Sequence, residues 1–476
     1  MMKILLVKPP KNKNVISTSL YEPLELEYLA ASVHNHDVEI LDMRIHRNLR
    51  STLLRFNPEL IGLTAYTCDY NITRSILKQI RQFSEKIIIA VGGAHATFMP
   101  QDFILPEVNV IFLGYADTTF PRYIEHINNH AELVKIPNIV LIKDGVAEYT
   151  HRIDLKPDIE NLPLPARHIT RKYRKFYHDP VRNRLALVMT SRGCPFKCNF
   201  CACWKLMHGK VVMRSAESIA HELKTLPNDI SVVYFSDDNT FSDIERMWKL
   251  SELLKKHNIK KKLQMYARAD TIVKHPDLFL ELKTSGLQFL TVGLESFQDD
   301  DLDYFNKKTS VNVNDQAIRI LKDLDIHILS HFIIRPDYDK ADFKKLYNYV
   351  VLNNLYRPAF PVLTPLPGTE LYKETKSLFQ IRNFDFFDFA HSILPTKLEA
   401  DDFYQQLASL YQKSYSIRRY SKHIMSRMMA LNRKKYYTDN TDGITLFKLI
   451  LVKLFTVYTF HKLRNSHKNK LLKKYL

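Results

Sequence analysis

The sequence predicts an α/β protein built as an N-terminal doubly wound parallel sheet, a partial (β/α) barrel and a basic helical C-terminal region. Three observations carry this expectation. Short apolar runs alternate with amphipathic helical segments over most of the chain, a Pro- and charge-rich stretch at 151–184 interrupts that rhythm, and positive charge accumulates only after residue 410. The 476 residues are 45% hydrophobic and 25% charged, enough to bury real cores, and show neither low complexity nor an internal repeat.

Residues 1–150 are expected to form the first unit. Apolar runs at 3–7, 38–41, 60–64, 87–91, 110–113 and 138–142 have strand length, and helical periodicity marks 24–34 and 71–82 between them. The first run is too short for a signal peptide, so it reads as a buried strand and the chain as cytoplasmic. Ligands of doubly wound sheets sit beyond the carboxyl ends of the strands, which brings forward Pro9-Pro10, Thr64-Ala65-Tyr66-Thr67 and Gly92-Gly93-Ala94-His95. Two glycines after an apolar strand either admit a large flat ligand to the backbone or make a tight strand-to-helix turn. His95 either faces such a ligand or is satisfied within the loop.

Residues 151–184 are a linker, since Pro163 and Pro165 continue neither a helix nor a central strand. The βα rhythm then resumes over 185–400, with strands expected at 185–190, 232–235, 263–267, 289–293, 326–334 and 360–363. Six such units make an open barrel whose chemistry belongs at the strand carboxyl ends. Asp237 and Asp238 follow one of these strands, Arg268 another and Glu295 a third. Each alone is read as a helix cap or a core partner.

Between the first of these strands and its helix stand Cys194, Cys198 and Cys201, spaced C-x3-C-x2-C. Three thiols on one short loop supply three of the four thiolates of an iron-sulfur cluster and leave one iron open. Only Cys68 and Cys203 lie elsewhere, so a disulfide framework is not expected, and a zinc site lacks paired C-x-x-C knuckles. Cys203, two residues beyond Cys201, competes as a ligand.

This loop resembles that of the radical S-adenosylmethionine (SAM) superfamily. The resemblance implies a 4Fe-4S cluster with SAM on its open iron, an external electron donor, and reductive cleavage of SAM to a hydrogen-abstracting radical. It also implies SAM contacts at Arg268, Glu295 and one of Asp237 and Asp238. The Val91-Gly92-Gly93-Ala94-His95-Ala96-Thr97 segment, with the cysteine loop after it, resembles the cobalamin-dependent subgroup of that superfamily. Corrin contacts are then implied at Thr64, Gly92, Gly93 and His95. The chain has no D-x-H-x-x-G segment, which speaks against a histidine on the lower cobalt face. Beyond residue 280, Thr364-Pro365-Leu366-Pro367-Gly368-Thr369, Phe386-Phe387-Asp388-Phe389-Ala390-His391 and Leu394-Pro395-Thr396 are similar to segments of the hopanoid C-3 methylase group. His391 and Tyr372 are its candidate substrate-pocket residues, with packing the alternative for both.

The resemblance implies a cobalamin-dependent radical SAM methyltransferase acting on an unactivated carbon of an apolar lipid, such as a hopanoid or another polycyclic isoprenoid. A radical SAM oxidoreductase or cyclase with the same cofactors is the second reading, and a membrane-associated cobalamin-binding protein the third.

Independently of family, residues 411–476 hold 16 Lys or Arg against two acidic residues, a net of +14 in a chain of net +18. Within the 401–476 region, 444–460 is strongly apolar and punctuated by Lys448 and Lys453. That pattern suits a helix lying in an anionic interface at the inner membrane face, or a C-terminal helix packed on the enzyme with a solvated basic face. No nucleic-acid module accompanies it, and no nucleic-acid partner is expected.

Overall fold

The computed structural model describes residues 1–12, 19–154, 156–179, 183–416 and 419. Seven strands form the first sheet: β1 (Lys3–Lys8), β2 (Asp37–Asp42), β3 (Leu60–Thr64), β4 (Ile88–Gly92), β5 (Val110–Phe112), β6 (Ile139–Lys143) and β7 (Val146–Tyr149). Their order is β2-β1-β3-β4-β5-β6-β7. The first five run parallel, and alternate residues face opposite cores. Leu5, Val7, Ile61, Leu63, Ile89 and Val91 pack toward the helices Leu49–Phe56 and Tyr70–Phe83. Ile4, Leu6, Leu60, Ala90 and Val110 pack toward Leu24–Ser32 and Thr119–Glu125. Each such Leu, Ile or Val side chain, taken fully out of water, contributes about 1.5–3 kcal/mol.

The wholly parallel sheet expected from sequence is corrected at one edge, where β6 and β7 are antiparallel. They form a hairpin on Asp144 and Gly145, both at positive φ (52° and 75°), the backbone of a two-residue type I′ turn.

Among its described residues, 151–184 holds one 3₁₀ turn, Arg171–Phe176, and isolated antiparallel bridges from His178 to Leu20 and to Arg184, yet it is firmly tied down. The largely covered Arg167 guanidinium donates to Glu222 (2.7 Å), to the Leu187 carbonyl (2.6 Å) and to Glu22 (3.3 Å).

The second sheet begins with β8 (Leu185–Val188). A short antiparallel pair, β9 (Ser191–Arg192) and β10 (Val212–Met213), brackets the cysteine loop. Then follow β11 (Val232–Phe235), β12 (Lys262–Ala267), β13 (Leu287–Glu295), β14 (His327–Phe332) and β15 (Arg357–Ala359). The order β15-β14-β13-β12-β11-β8 is all parallel and open between β15 and β8, a partial barrel. Its outer helices begin on side-chain caps at Ser215, Asp243, Ser310 and Asp339, the last in a reciprocal capping box.

Three barrel strands are shorter or shifted relative to expectation, β14 among them at His327–Phe332 rather than 326–334. β8 stops at Val188 because the Thr190 amide bonds Asp237 instead of a ladder partner. The last strand lies at 357–359 rather than 360–363; it is an edge strand that tolerates Pro358, while Pro361 cannot donate to a ladder. The helix Ala400–Ser414 covers the barrel end, with Phe403 edge-on to Phe343 (5.7 Å). The apolar 444–460 segment lies outside the described residues, and no helix among those described is long and apolar enough to cross a membrane.

Candidate active site

The carboxyl ends of both sheets open into one cavity of about 670 Å³. The first sheet contributes Thr64, Gly92, Gly93 and the Gly114-Tyr115-Ala116-Asp117 turn after β5. From the barrel come Met189, Ser191 and Arg192 after β8, Cys203 from the cysteine loop, and Ser236 and Asp238 after β11. Leu366, Pro367, Phe387 and Phe389 close it from the C-terminal segment. The proline-rich segment singled out in the sequence therefore is a wall of this cavity.

Gly93 has φ +99°, and a Cβ there would stand 2.7 Å from the Ala65 carbonyl oxygen and 3.0 Å from Thr64 Oγ1. Its absent side chain lets the β4 turn lie against the end of β3. A Cβ on Gly92 would meet only Phe112, at 3.8 Å. Thr97 completes the cradle by donating to the Gly93 carbonyl (2.8 Å) and accepting from the Gly114 amide (2.9 Å). Of the two roles left open by sequence, Gly93 makes the tight turn, and Gly92 leaves open wall beside it. Gly93→Ala is expected to lower thermal stability by about 1–3 kcal/mol through strain at this backbone. Gly92→Ala should leave stability nearly unchanged, and Gly92→Phe should intrude on the cavity and weaken cobalamin binding in an absorbance titration.

His95 is not on this wall, which corrects its assignment as a ligand contact. Its ring is fully buried, with Nδ1 3.2 Å from Thr67 Oγ1 and Nε2 3.1 Å from Asp102 Oδ2. Phe384 (4.7 Å) and Tyr70 (5.1 Å) pack against it. Both nitrogens are spent on holding the loop, and no histidine is among the described residues lining the cavity.

The cysteine loop is held from several sides. Gly193, at φ +90°, passes so close to the Lys210 carbonyl that a Cβ would sit 2.1 Å from it. Its amide donates to Asp238 (2.8 Å), Trp204 Nε1 donates to the Cys198 carbonyl (3.0 Å), and Asn306 donates to the Lys197 carbonyl (2.7 Å). Burial pushes the Cys194 thiol up to about 11. It also raises Cys198, where the nearby Lys307 and Arg268 cations act in the opposite direction. The hydrogen bond with Cys203 holds Cys201 low against its burial, and raises Cys203 correspondingly. Among the described residues no group of three or more His, Cys, Asp or Glu side chains is assembled as a metal-binding set. The fit to a cluster rests on the donors: three cysteines on one loop, mutually perturbed, with two buried cations on hand to balance thiolate charge.

On one side of this loop the structure gathers Arg268, Glu295 and Lys307. The Arg268 guanidinium lies 3.7 Å over the Phe196 ring and donates to Asp270 (3.0 Å) and to the Lys307 carbonyl (2.6 Å). Glu295, at φ +62°, accepts from Lys307 Nζ at 2.7 Å, and this carboxylate raises Lys307 above the ordinary lysine value although burial opposes it. Lys307 was not legible in sequence, because no motif joins it to Glu295, twelve positions before.

The two neighbouring aspartates have different roles. Asp237 is buried and accepts from Thr190 N (2.6 Å), Thr190 Oγ1 (2.5 Å) and Ser191 N (2.9 Å), so it shapes the turn after β8. Burial raises its carboxyl above the usual carboxylate range. Asp238 is the one that reaches the cavity.

His391 is corrected as well. It is fully buried, pairs with Asp388 (2.8 Å), and packs against Phe386 (4.8 Å) and Tyr404, away from the cavity lining. Tyr372 packs on Phe379 (5.4 Å). The aromatic residues that do reach the cavity from this segment are Phe387 and Phe389. Sequence reasoning also missed Arg192, which pairs with Asp117 and lies 4.3 Å over Tyr115, joining the cysteine loop to the first sheet.

Two family matches cover these regions: the B12 binding domain over residues 16–124 and the Radical SAM superfamily over 188–350. The chain is a B12-binding radical SAM enzyme. Among curated relatives, this radical SAM enzyme is 24% identical to the hopanoid C-3 methylase of Methylococcus capsulatus, over 87% of its own length and 80% of the relative's. It is 23% identical to the anaerobic magnesium-protoporphyrin IX monomethyl ester cyclase of Cereibacter sphaeroides, over 78% and 62%. Its fold matches that of the cobalamin-dependent SAM radical enzyme OxsB, solved with aqua-cobalamin and SAM bound. The TM-score is 0.72 at 16% identity, over 100% of this chain and 81% of OxsB. The two matched domains name cobalamin and SAM as the ligands of this chain's two units, and TsrM from Kitasatospora setae, a further fold match at TM-score 0.62 and 16% identity over 79% of this chain and 78% of TsrM, was solved with cobalamin and a [4Fe-4S] cluster bound.

Proposed function

We propose that this enzyme is a cobalamin-dependent C-methyltransferase acting on an unactivated carbon of an apolar lipid, a hopanoid or another polycyclic isoprenoid. The observation that supports this most is the shared cavity: the glycine turn of the first sheet and the cysteine-loop side of the barrel line a single, largely apolar space. When bound, the cluster with SAM supplies a hydrogen-abstracting radical, and cobalamin supplies a transferable methyl group. The chain's part is to hold and orient. Cys194, Cys198 and Cys201 are the cluster ligands in this reading; Asp238, Arg268 and Glu295 flank SAM, and Asp237 supports the turn beneath it. Thr64, Gly92 and Gly93 face the corrin, and Phe387 and Phe389 shape the substrate end and exclude water. The working units are 1–150, a 151–184 linker, 185–400 and 401–476.

The decisive experiment incubates reconstituted, reduced protein with methyl-deuterated SAM and lipid extract. A lipid heavier by one labelled methyl group supports methyl transfer. Consumption of SAM with a product carrying no added methyl favours an oxidoreductase or cyclase, the reading to which the cyclase relative lends weight. An absence of SAM cleavage sinks both and leaves a cobalamin-binding protein. Arg268→Ala is expected to reduce SAM cleavage at least tenfold while the iron content stays at the parent level, since the guanidinium borders the cysteine loop without contributing a ligand.

The substrate reading also assigns the basic tail a place at the cytoplasmic membrane face. Each Lys or Arg near an anionic surface adds about 1 kcal/mol before screening. Full-length protein is expected to sediment with anionic liposomes, less so at high salt, and truncation after Tyr415 to release it without loss of SAM cleavage. Equal binding by both forms would remove the tail's role.

A further inference from the structure

A second cavity, of about 660 Å³, lies at the opposite end of the barrel sheet from the cysteine loop, between the linker, the start of β8 and the loop before β11. Arg167, His168, Arg171, Arg174, Lys175 and Arg184 line it, and Asp229 is the one acidic residue among the described residues of its wall. Two of the cations are committed. Arg167 serves Glu22 and Glu222, and Arg184 pairs with Asp229. The other three have no carboxylate partner among the described residues. The 3₁₀ turn Arg171–Phe176 sharpens their crowding, because a three-residue period eclipses Arg171 and Arg174 on one edge, with Lys175 beside them. Like charges so placed repel each other and destabilise the turn that carries them. Leu226 and Pro227 give the same cleft an apolar floor.

We infer that this cleft binds the phosphate groups of an anionic ligand. The guanidinium forks of Arg171 and Arg174 suit bidentate contact with phosphate oxygens, and the bound anion supplies the counter-charge that the described residues do not. Leu226 and Pro227 accommodate the carbon skeleton that such a ligand carries. The phosphate could belong to a soluble ester or to the headgroup of an anionic lipid, and the chemistry of recognition is common to both. None of these residues lines the cofactor cavity, so the inference stands apart from the proposed reaction.

The test uses full-length protein. Binding of pyrophosphate is measured by calorimetry, and binding of phosphatidylcholine vesicles with and without phosphatidylglycerol by sedimentation. The triple variant Arg171→Glu, Arg174→Glu, Lys175→Glu is compared with Lys256→Glu, Lys260→Glu, Lys274→Glu, which changes net charge equally at exposed lysines elsewhere. The neutral pair Arg171→Gln, Arg174→Gln guards against loss of fold. We expect the cleft variants to bind at least about tenfold more weakly than the control. Loss of pyrophosphate binding alone identifies a soluble ester, loss of phosphatidylglycerol-dependent sedimentation alone a lipid headgroup, and loss of both a site that recognises the phosphate itself. The tail is the same in every variant, so equal binding by cleft and control variants to both probes overturns the inference.

Discussion

Replacing Cys194, Cys198 or Cys201 by Ala is expected to abolish the iron of anaerobically purified protein, about four atoms per chain in the parent, and with it all SAM cleavage. Cys203→Ala should keep both. The difference follows from how the loop is held. The loop residues 194–201 are pinned at Gly193, Lys197 and Cys198 by Asp238, Asn306 and Trp204, whereas Cys203 opens the next helix and lines the cavity. Iron analysis with the spectrum of the dithionite-reduced protein reads the outcome. Loss of iron in the Cys203 variant would move the third ligand from Cys201 to its neighbour, to which it is hydrogen-bonded.

The Lys307–Glu295 pair should show the largest effect on stability. Its charged atoms are 2.7 Å apart, with side-chain exposures of only 8% and 11%. Removing one member leaves the other charge buried without compensation, which costs about 3–5 kcal/mol, whereas replacing both with neutral groups removes that penalty. Lys307→Met and Glu295→Gln should therefore each lower the denaturation midpoint of the barrel, and the double variant should recover most of the loss. Additive losses in the double variant would show that the two groups act separately.

Much of the fold was legible because its strands are buried on both faces. A parallel strand covered by helices on both sides reads as an unbroken apolar run, so β1, β3, β4 and β5 stand out from sequence, whereas barrel strands such as β12 and β14 are buried mainly at alternate residues. β7 did not stand out: Val146, Glu148 and Tyr149 are exposed on an edge, and only the Asp144-Gly145 dipeptide marked the hairpin. Reading that dipeptide as a two-residue turn would have predicted the antiparallel edge.

The cysteine triad was legible in local sequence, since three cysteines within eight residues must share a loop whatever the rest of the chain does. The two-unit architecture was likewise determined by periodicity and by the prolines between the units. Only the tertiary structure decided which side chains face the cavity. His95 and Asp238 both lie just beyond a strand end, yet the first is turned into a core by Thr67 and Asp102 while the second reaches the cleft. His391 belongs to Asp388, and Lys307 comes to Glu295 through the fold of an intervening helix and turn. Spacing constrains residues joined by a few peptide bonds. The direction of a side chain is set by partners distant in sequence, which take their places only when the chain folds.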